Sequence, residues 1–241
     1  MIRVMDREQP VAAARRIVER RHPAARAAFV GGGAVTPRRT PWSDLDIVVI
    51  LHGAPAPYRD SSVEDGWPVE LFAHTEESWR AFVERETARR RSPLLFMCAE
   101  GRVVVDRDGV GARLATEARS RVIAGPPPVT QEERDAVRYG LTDLLHDLVA
   151  GPAAGEVLFI VSEVARRTAE LEILSAGGWL GGGKWLARRA DAISPGLAAR
   201  LEEAVRAALD GDYVGLLALA WAALDRCGGP LWVGYRVSGV P

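Results

Sequence analysis

Asp44 and Asp46 are separated by one apolar residue at the head of the run Leu45-Asp46-Ile47-Val48-Val49-Ile50. That run reads as a strand. Alternate side chains of a strand share a face, so the two carboxylates stand together while Leu45, Ile47 and Val49 point the other way. Like charges held side by side cost desolvation and repulsion, and a cation is expected between them. No Arg or Lys lies within the pair, so a divalent metal with hard oxygen ligands is the expected partner. Magnesium suits the position because it also brings phosphates.

The elements that must hold this pair are legible on both sides of it. Phe29-Val30-Gly31-Gly32-Gly33 reads as an apolar strand ending in a glycine turn, and a basic loop leads from there to Asp44. A helix is expected over Val11 to Arg21, stopped by Pro23, with the first strand at Ala27 to Val30 and the second at Leu45 to Leu51. His52 to Gly66, rich in Pro, Gly, Ser and Asp, reads as a loop. Trp67 to Ala73 reads as the third strand, on which Glu70 stands alone among apolar neighbours. Thr75 followed by Glu76 and Glu77 is a helix start, with Trp79, Phe82 and Val83 as its apolar stripe. Leu94 to Ala99 fits strand or helix, Arg102 to Asp106 a fourth strand, and Gly111 to Ile123 a helix. The alternation implies helices around a small sheet.

Gly125-Pro126-Pro127-Pro128 marks the boundary, because consecutive prolines exclude helix and stiffen a linker. After it Thr130 and Glu133 form a capping box, and Val137, Leu141, Leu144, Leu145 and Leu148 follow at helical spacing. Further helices fit roughly Gly155 to Ala176, Leu197 to Leu209 and Tyr213 to Arg226, and no strand is required. Two domains are therefore expected, residues 1–125 and an all-helical 126–241, in a chain of 241 residues.

Composition excludes more than it assigns. A hydrophobic fraction of 48% and a charged fraction of 26% are ordinary for a globular chain. A net charge of -1 gives no argument for a nucleic-acid-coating or membrane-surface protein. Cys98 and Cys227 lack metal-ligand spacing and read as small buried hydrophobes in a reducing compartment. Met1 to Glu8 has no apolar signal region, and no later run approaches the roughly 20 residues that span a bilayer, so a cytoplasmic location is expected.

The glycine pair, about ten residues, then Asp-x-Asp on a strand resembles the nucleotidyltransferase superfamily that includes DNA polymerase beta and kanamycin nucleotidyltransferase. Gly32 and Gly33 stand at the signature pair, although many members have Gly-Ser there. Pro68-Val69-Glu70-Leu71-Phe72 with Thr75-Glu76-Glu77 resembles the segment that carries the third carboxylate in the antibiotic-modifying branch, whose small members pair a catalytic domain with a helical one. The resemblance implies an α+β fold: a polymerase-beta-like domain with a small mixed sheet, then a helical domain. It also implies transfer of AMP from ATP to a hydroxyl of a small molecule such as an aminoglycoside antibiotic. Asp44, Asp46 and Glu70 would hold Mg2+, with Glu70 also a candidate base. Backbone at Gly31, Gly32 and Gly33 would approach phosphate, with Arg38, Arg39 and Ser43 near enough to add contacts.

Gly178-Trp179-Leu180-Gly181-Gly182-Gly183-Lys184-Trp185 nearly matches a Walker A loop, but no Ser or Thr follows the lysine and a helix rather than a strand precedes it. Lys184, the only lysine of the chain, reads better as a cation at a helix start that reaches the triphosphate, as a similar segment does in antibiotic nucleotidyltransferases. Glu156, Glu163 and Glu170 recur on one helix face with Arg166 and Arg167, which reads as a solvated ion-paired face. Glu163, Glu170 or Glu172 is the alternative base if Glu70 only ligates metal. Trp42 is the tryptophan placed to stack on a base or sugar. Asp60, Glu64 and Asp65, in the expected loop, would make an acidic bed for a cationic acceptor. Rival readings are a protein- or RNA-modifying enzyme, an antitoxin-like partner, and a catalytically silent nucleotide-binding module.

Overall fold

The computed structural model describes residues 9–238; Met1 to Glu8, read above as lacking a signal region, lies outside them. The chain divides into two compact units, Met1–Gly125 and Pro126–Pro241.

The first unit is built on a five-stranded mixed sheet of β1 (Ala27–Gly31), β2 (Leu45–Ile50), β3 (Tyr58–Glu64), β4 (Trp67–His74) and β5 (Arg102–Asp106), in the order β3-β4-β2-β1-β5. β2 and β4 are parallel and the other neighbours antiparallel. The register sets Gly31 opposite Asp46, Asp46 beside Glu70, and Glu70 opposite Ser61. These residues form one row across four strands.

Alternation along each strand sorts the side chains into two layers. One layer contains Ala28, Val30, Leu45, Ile47, Val49, Trp67, Val69, Leu71 and Ala73, and packs on Ala13, Ala14, Ile17 and Val18 of α1 (Pro10–Arg21). Each large aliphatic side chain buried there contributes about 1.5–3 kcal/mol. The other layer meets α2 (Glu76–Ala88), α3 (Pro93–Glu100) and α4 (Val110–Ala124). α2 starts at Thr75 as its sequence implies: the Thr75 hydroxyl accepts from the Ser78 amide at 3.0 Å and the Ser78 hydroxyl from the Thr75 amide at 2.9 Å. The stretch that fits strand or helix, Leu94 to Ala99, is helical, opened by Pro93 at its first position and by the Ser92 hydroxyl, which caps the Leu95 amide.

The expected loop His52 to Gly66 contains β3, and this corrects the sequence reading. β3 is an edge strand whose residues, Tyr-Arg-Asp-Ser-Ser-Val-Glu, are polar on both faces, so it lacks the apolar alternation that marks a strand. It returns into β4 through Asp65 and Gly66, with φ of +52° and +78°. A two-residue hairpin turn with both central residues at positive φ is the form that Asp-Gly favours.

Among the described residues the second unit is helical: α5 (Gln131–Val149), α6 (Val157–Ser175), α7 (Lys184–Ile193), α8 (Leu197–Leu209) and α9 (Val214–Arg226). The Thr130 capping box forms, with the Thr130 hydroxyl accepting from the Glu133 amide at 3.1 Å and the Glu133 carboxylate from the Thr130 amide at 2.8 Å. Leu141, Leu145, Leu148, Val161, Val164, Leu171, Leu216 and Leu224 make its core. The following segment lies back on α5, where Arg138 donates to the carbonyls of Gly228 and Gly229 and Tyr139 stacks with Tyr235 and with Trp232. No helix of the described residues is long and apolar enough to cross a membrane.

Candidate functional site

Asp46 is the centre of the row described above, with β1 on one side and β4 on the other. Gly32, the residue after β1, has φ of +72°, and a Cβ there would fall 1.8 Å from Asp46 Oδ2. Only glycine permits both that backbone conformation and that approach. Gly31 is held from another side, since a Cβ on it would meet Met97 of α3 at 3.0 Å. Gly33 starts a short 3-10 turn, Gly33–Val35, whose carbonyl accepts from the Thr36 amide at 3.3 Å and hydroxyl at 3.0 Å. The glycine run thus carries the chain past the Asp46 carboxylate with no side chain between.

Glu70 is the parallel-strand neighbour of Asp46, so the two carboxylates point to the same face. Both are half-buried, as is Asp44, which lies just ahead of β2. Glu70 Oε1 accepts from Arg59 Nη2 at 2.7 Å, and the Arg59 guanidinium lies 5.0 Å over the Phe72 ring. Arg59 is absent from the sequence candidates because its strand, polar on both faces, reads as a loop. The Asp65-Gly66 turn is the signal that could have found it, since a two-residue turn fixes the register of β3 and hence which of its residues face Glu70.

The loop between the glycines and Asp44 is arranged for its own folding at several points. The Ser43 hydroxyl accepts from the Thr40 amide at 2.9 Å, closing a turn with Ser43 N–H on the Thr40 carbonyl at 3.0 Å. Arg39 lies 5.0 Å over the Trp67 ring and reaches Gln9, just ahead of α1, at 3.4 Å. That is the α1 side of the sheet, away from Asp46 and Glu70. Arg38 is exposed, and Trp42 is 66% exposed.

The acidic bed expected from Asp60, Glu64 and Asp65 is not formed. Asp60 and Glu64 alternate with Arg59 and Ser61 and so face α1. There Arg21 pairs with Asp60 at 2.7 Å and Glu64 at 3.1 Å, Arg20 with Glu64 at 2.6 Å and Asp65 at 3.2 Å, and Arg16 with Asp65 at 3.1 Å. Burial alone would push the Glu64 carboxyl up, but hydrogen bonds from Arg20 and Ser62 and the charge of Arg21 bring it below its ordinary value. Asp65 is lowered chiefly by its hydrogen bond from Arg16.

In the second unit Lys184 is the first residue of α7 and is exposed. The positive end of a helix disfavours a cation, so helix stability does not explain a lysine there. Of the preceding glycines Gly181 serves packing, since a Cβ on it would fall 2.5 Å from the Trp185 backbone, while Gly183 has φ of +53° in open space. Glu163 receives Arg166 and Arg167, mainly Arg166, which holds its carboxyl down at about 2. Glu170 pairs with Arg166 and Glu172 with Arg226. Glu163 and Glu170 with Arg166 and Arg167 make the ion-paired helix face that the spacing implies, whereas Glu156 lies ahead of α6 and accepts from the Ala153 amide, and Glu172 is buried against α9.

Among the described residues no group of three or more His, Cys, Asp or Glu is gathered closely enough to cage a metal. Magnesium is commonly held by one or two carboxylates, with phosphates and water completing its shell, and needs no such cage. The hard oxygens of Asp46, beside a bare glycine backbone, and of Asp44, two residues earlier in the chain, fit that mode. Glu70, already engaged by Arg59, fits it less well.

No protein-family model matches the chain, and no curated protein matches it. Among solved structures it is similar to a nucleotidyltransferase-like protein from Exiguobacterium sibiricum 255-15, at 16% sequence identity and a TM-score of 0.38, over 90% of this chain and 77% of that one.

Proposed function

We propose that the chain is a magnesium-dependent nucleotidyltransferase that moves AMP from ATP to a hydroxyl of a small molecule. The observation that carries this reading is the row Gly31, Asp46, Glu70, with Gly32 drawn so close to the Asp46 carboxylate that no side chain fits between them. A turn with no side chain beside an acid is what a site needs where a phosphate chain and its counter-cation must lie against backbone. Asp44 and Asp46 would hold magnesium, which when bound supplies charge neutralisation around the triphosphate and the acceptor oxygen.

The residues of the chain do the rest. Amides of the glycine turn face the phosphates. Glu70, released from Arg59, takes the acceptor's proton as general base. The acceptor oxygen bonds to the α-phosphorus as the bond to pyrophosphate breaks. The test is pyrophosphate release from ATP and from GTP, with and without magnesium, against a panel of hydroxyl-bearing small molecules that includes aminoglycosides. The expected result is magnesium-dependent release with ATP favoured. Failure to bind ATP in the presence of magnesium, with no release for any acceptor, overturns the reading.

A further inference from the structure

We infer that Arg59 selects the acceptor, and that the acceptor carries an oxyanion, a carboxylate or a phosphate, next to its reactive hydroxyl. This deepens the transferase reading and rests on it.

Strand alternation puts Arg59, Ser61 and Val63 on the face that holds Asp46, Glu70 and Phe72, and puts Asp60 and Glu64 on the other. The Arg59 side chain is 60% exposed, although it is anchored at two points. Its Nη2 donates to Glu70 at 2.7 Å, and its guanidinium carbon lies over the Phe72 ring, 5.0 Å from the centroid. A guanidinium has five N–H donors in a planar fork suited to a carboxylate or phosphate, and one bond to Glu70 leaves donors for a second oxyanion. Stacking on an aromatic ring orients the fork before that ligand arrives. Ser61, exposed and opposite Glu70 in the row, adds a hydroxyl on the same face.

The distribution of charge along β3 points the same way. The acids that would have bound a polycation are turned to the α1 face and are held there by Arg16, Arg20 and Arg21. A polycationic acceptor would meet Arg59 on the open face, and like charges at close range oppose binding. An anionic acceptor has the opposite effect. Its oxyanion competes with Glu70 for Arg59, so that binding the correct acceptor frees the carboxylate that takes its proton.

The test has two stages. Calorimetry of ATP with magnesium on the wild type and on Arg59→Gln checks the parent reading, and both proteins should bind. Pyrophosphate release is then compared for hydroxy-carboxylates, sugar phosphates, neutral polyols and aminoglycosides. The wild type should prefer one of the two anionic classes, and which of them wins identifies the oxyanion. Arg59→Gln should raise KM for anionic acceptors by about 10- to 100-fold, the loss of one charged hydrogen-bonded contact, and so abolish the preference for anionic over neutral acceptors. Arg59→Glu should reverse the order toward cations. The inference is overturned if the wild type binds ATP yet turns over aminoglycosides best, or if the Gln and Glu variants, folded by circular dichroism, keep the wild-type acceptor order. Absence of ATP binding to the wild type overturns the transferase reading, and the inference with it.

Discussion

The two faces of the sheet in the first unit use the same residue types to opposite ends. On the α1 face, Asp60, Glu64 and Asp65 each meet a guanidinium from Arg16, Arg20 or Arg21, so charge is matched where helix and strand must dock. On the opposite face, Asp46 is set next to another carboxylate, Glu70, which Arg59 engages from one side, and the Gly32 backbone lies close against Asp46. Matched acids hold an interface together. Acids placed beside acids are tolerated where a cationic ligand is to be bound, which is why perturbing arrangements gather at functional sites.

Isosteric neutralisation on the two faces gives the sharpest contrast. Asp46→Asn should lower magnesium-dependent pyrophosphate release by ~10^2- to 10^3-fold or more, the scale on which charge stabilisation contributes to turnover. Its far-ultraviolet circular dichroism should be unchanged. Unchanged turnover would remove Asp46 from the chemistry and erase the contrast. Acid titration separates the faces by where stability is lost. His74, on the Glu70 face, is buried and its pKa is pushed by that burial from 6.5 to about 4. Between those values the unfolded chain takes up a proton that the folded one refuses, so stability falls as pH drops through that window, by up to about 3 kcal/mol. Glu64 and Asp65 are lowered from 4.5 and 3.8, so the stability they contribute is present above those values and is lost below them, as pH falls through their folded pKa values. Urea unfolding from neutral pH downward should show both stages, and His74→Leu should shrink the upper one, to which His22, also lowered by burial, contributes, while leaving the lower one in place.

Gly32→Ala joins the two measurements. The positive φ and the Asp46 contact should cost about 1–3 kcal/mol of stability and displace the carboxylate, so that turnover falls together with the urea midpoint. Loss of neither would mean that the turn does not fix Asp46. The smallest effect is expected from Glu64→Gln, which should cost at most about 1 kcal/mol, as partly exposed ion pairs do, and leave turnover unchanged. A fall in turnover there would show that the α1 face is not merely structural.

Much of the positioning is legible in residue order because it depends on local rules. The strand alternation of Leu45 to Ile50, the caps at Thr75 and Thr130, and the glycine break before Asp44 each follow from a few neighbouring residues. What escaped was β3, whose polar sequence does not alternate in hydropathy because its inner face is satisfied by arginines from α1, some forty residues earlier in the chain. With the strand went its consequences: the acids counted as a substrate bed belong to a docking layer, and Arg59 beside Glu70 went unseen. The glycine runs show the same limit. Gly31 to Gly33 and Gly181 to Gly183 look alike in sequence, yet Gly32 makes room for a carboxylate and Gly181 for the Trp185 backbone. Only the neighbours brought by the fold tell them apart.

The hairpin at Asp65 and Gly66 has a consequence for how this protein can change. Because its tight turn fixes which residues of β3 look each way, positions 59, 61 and 63 can vary with little penalty to folding, while 58, 60, 62 and 64 are bound to α1. Inheritance could therefore explore new acceptors through alternate codons of one short strand. A deletion of a single codon within it would instead exchange the two layers and forfeit both.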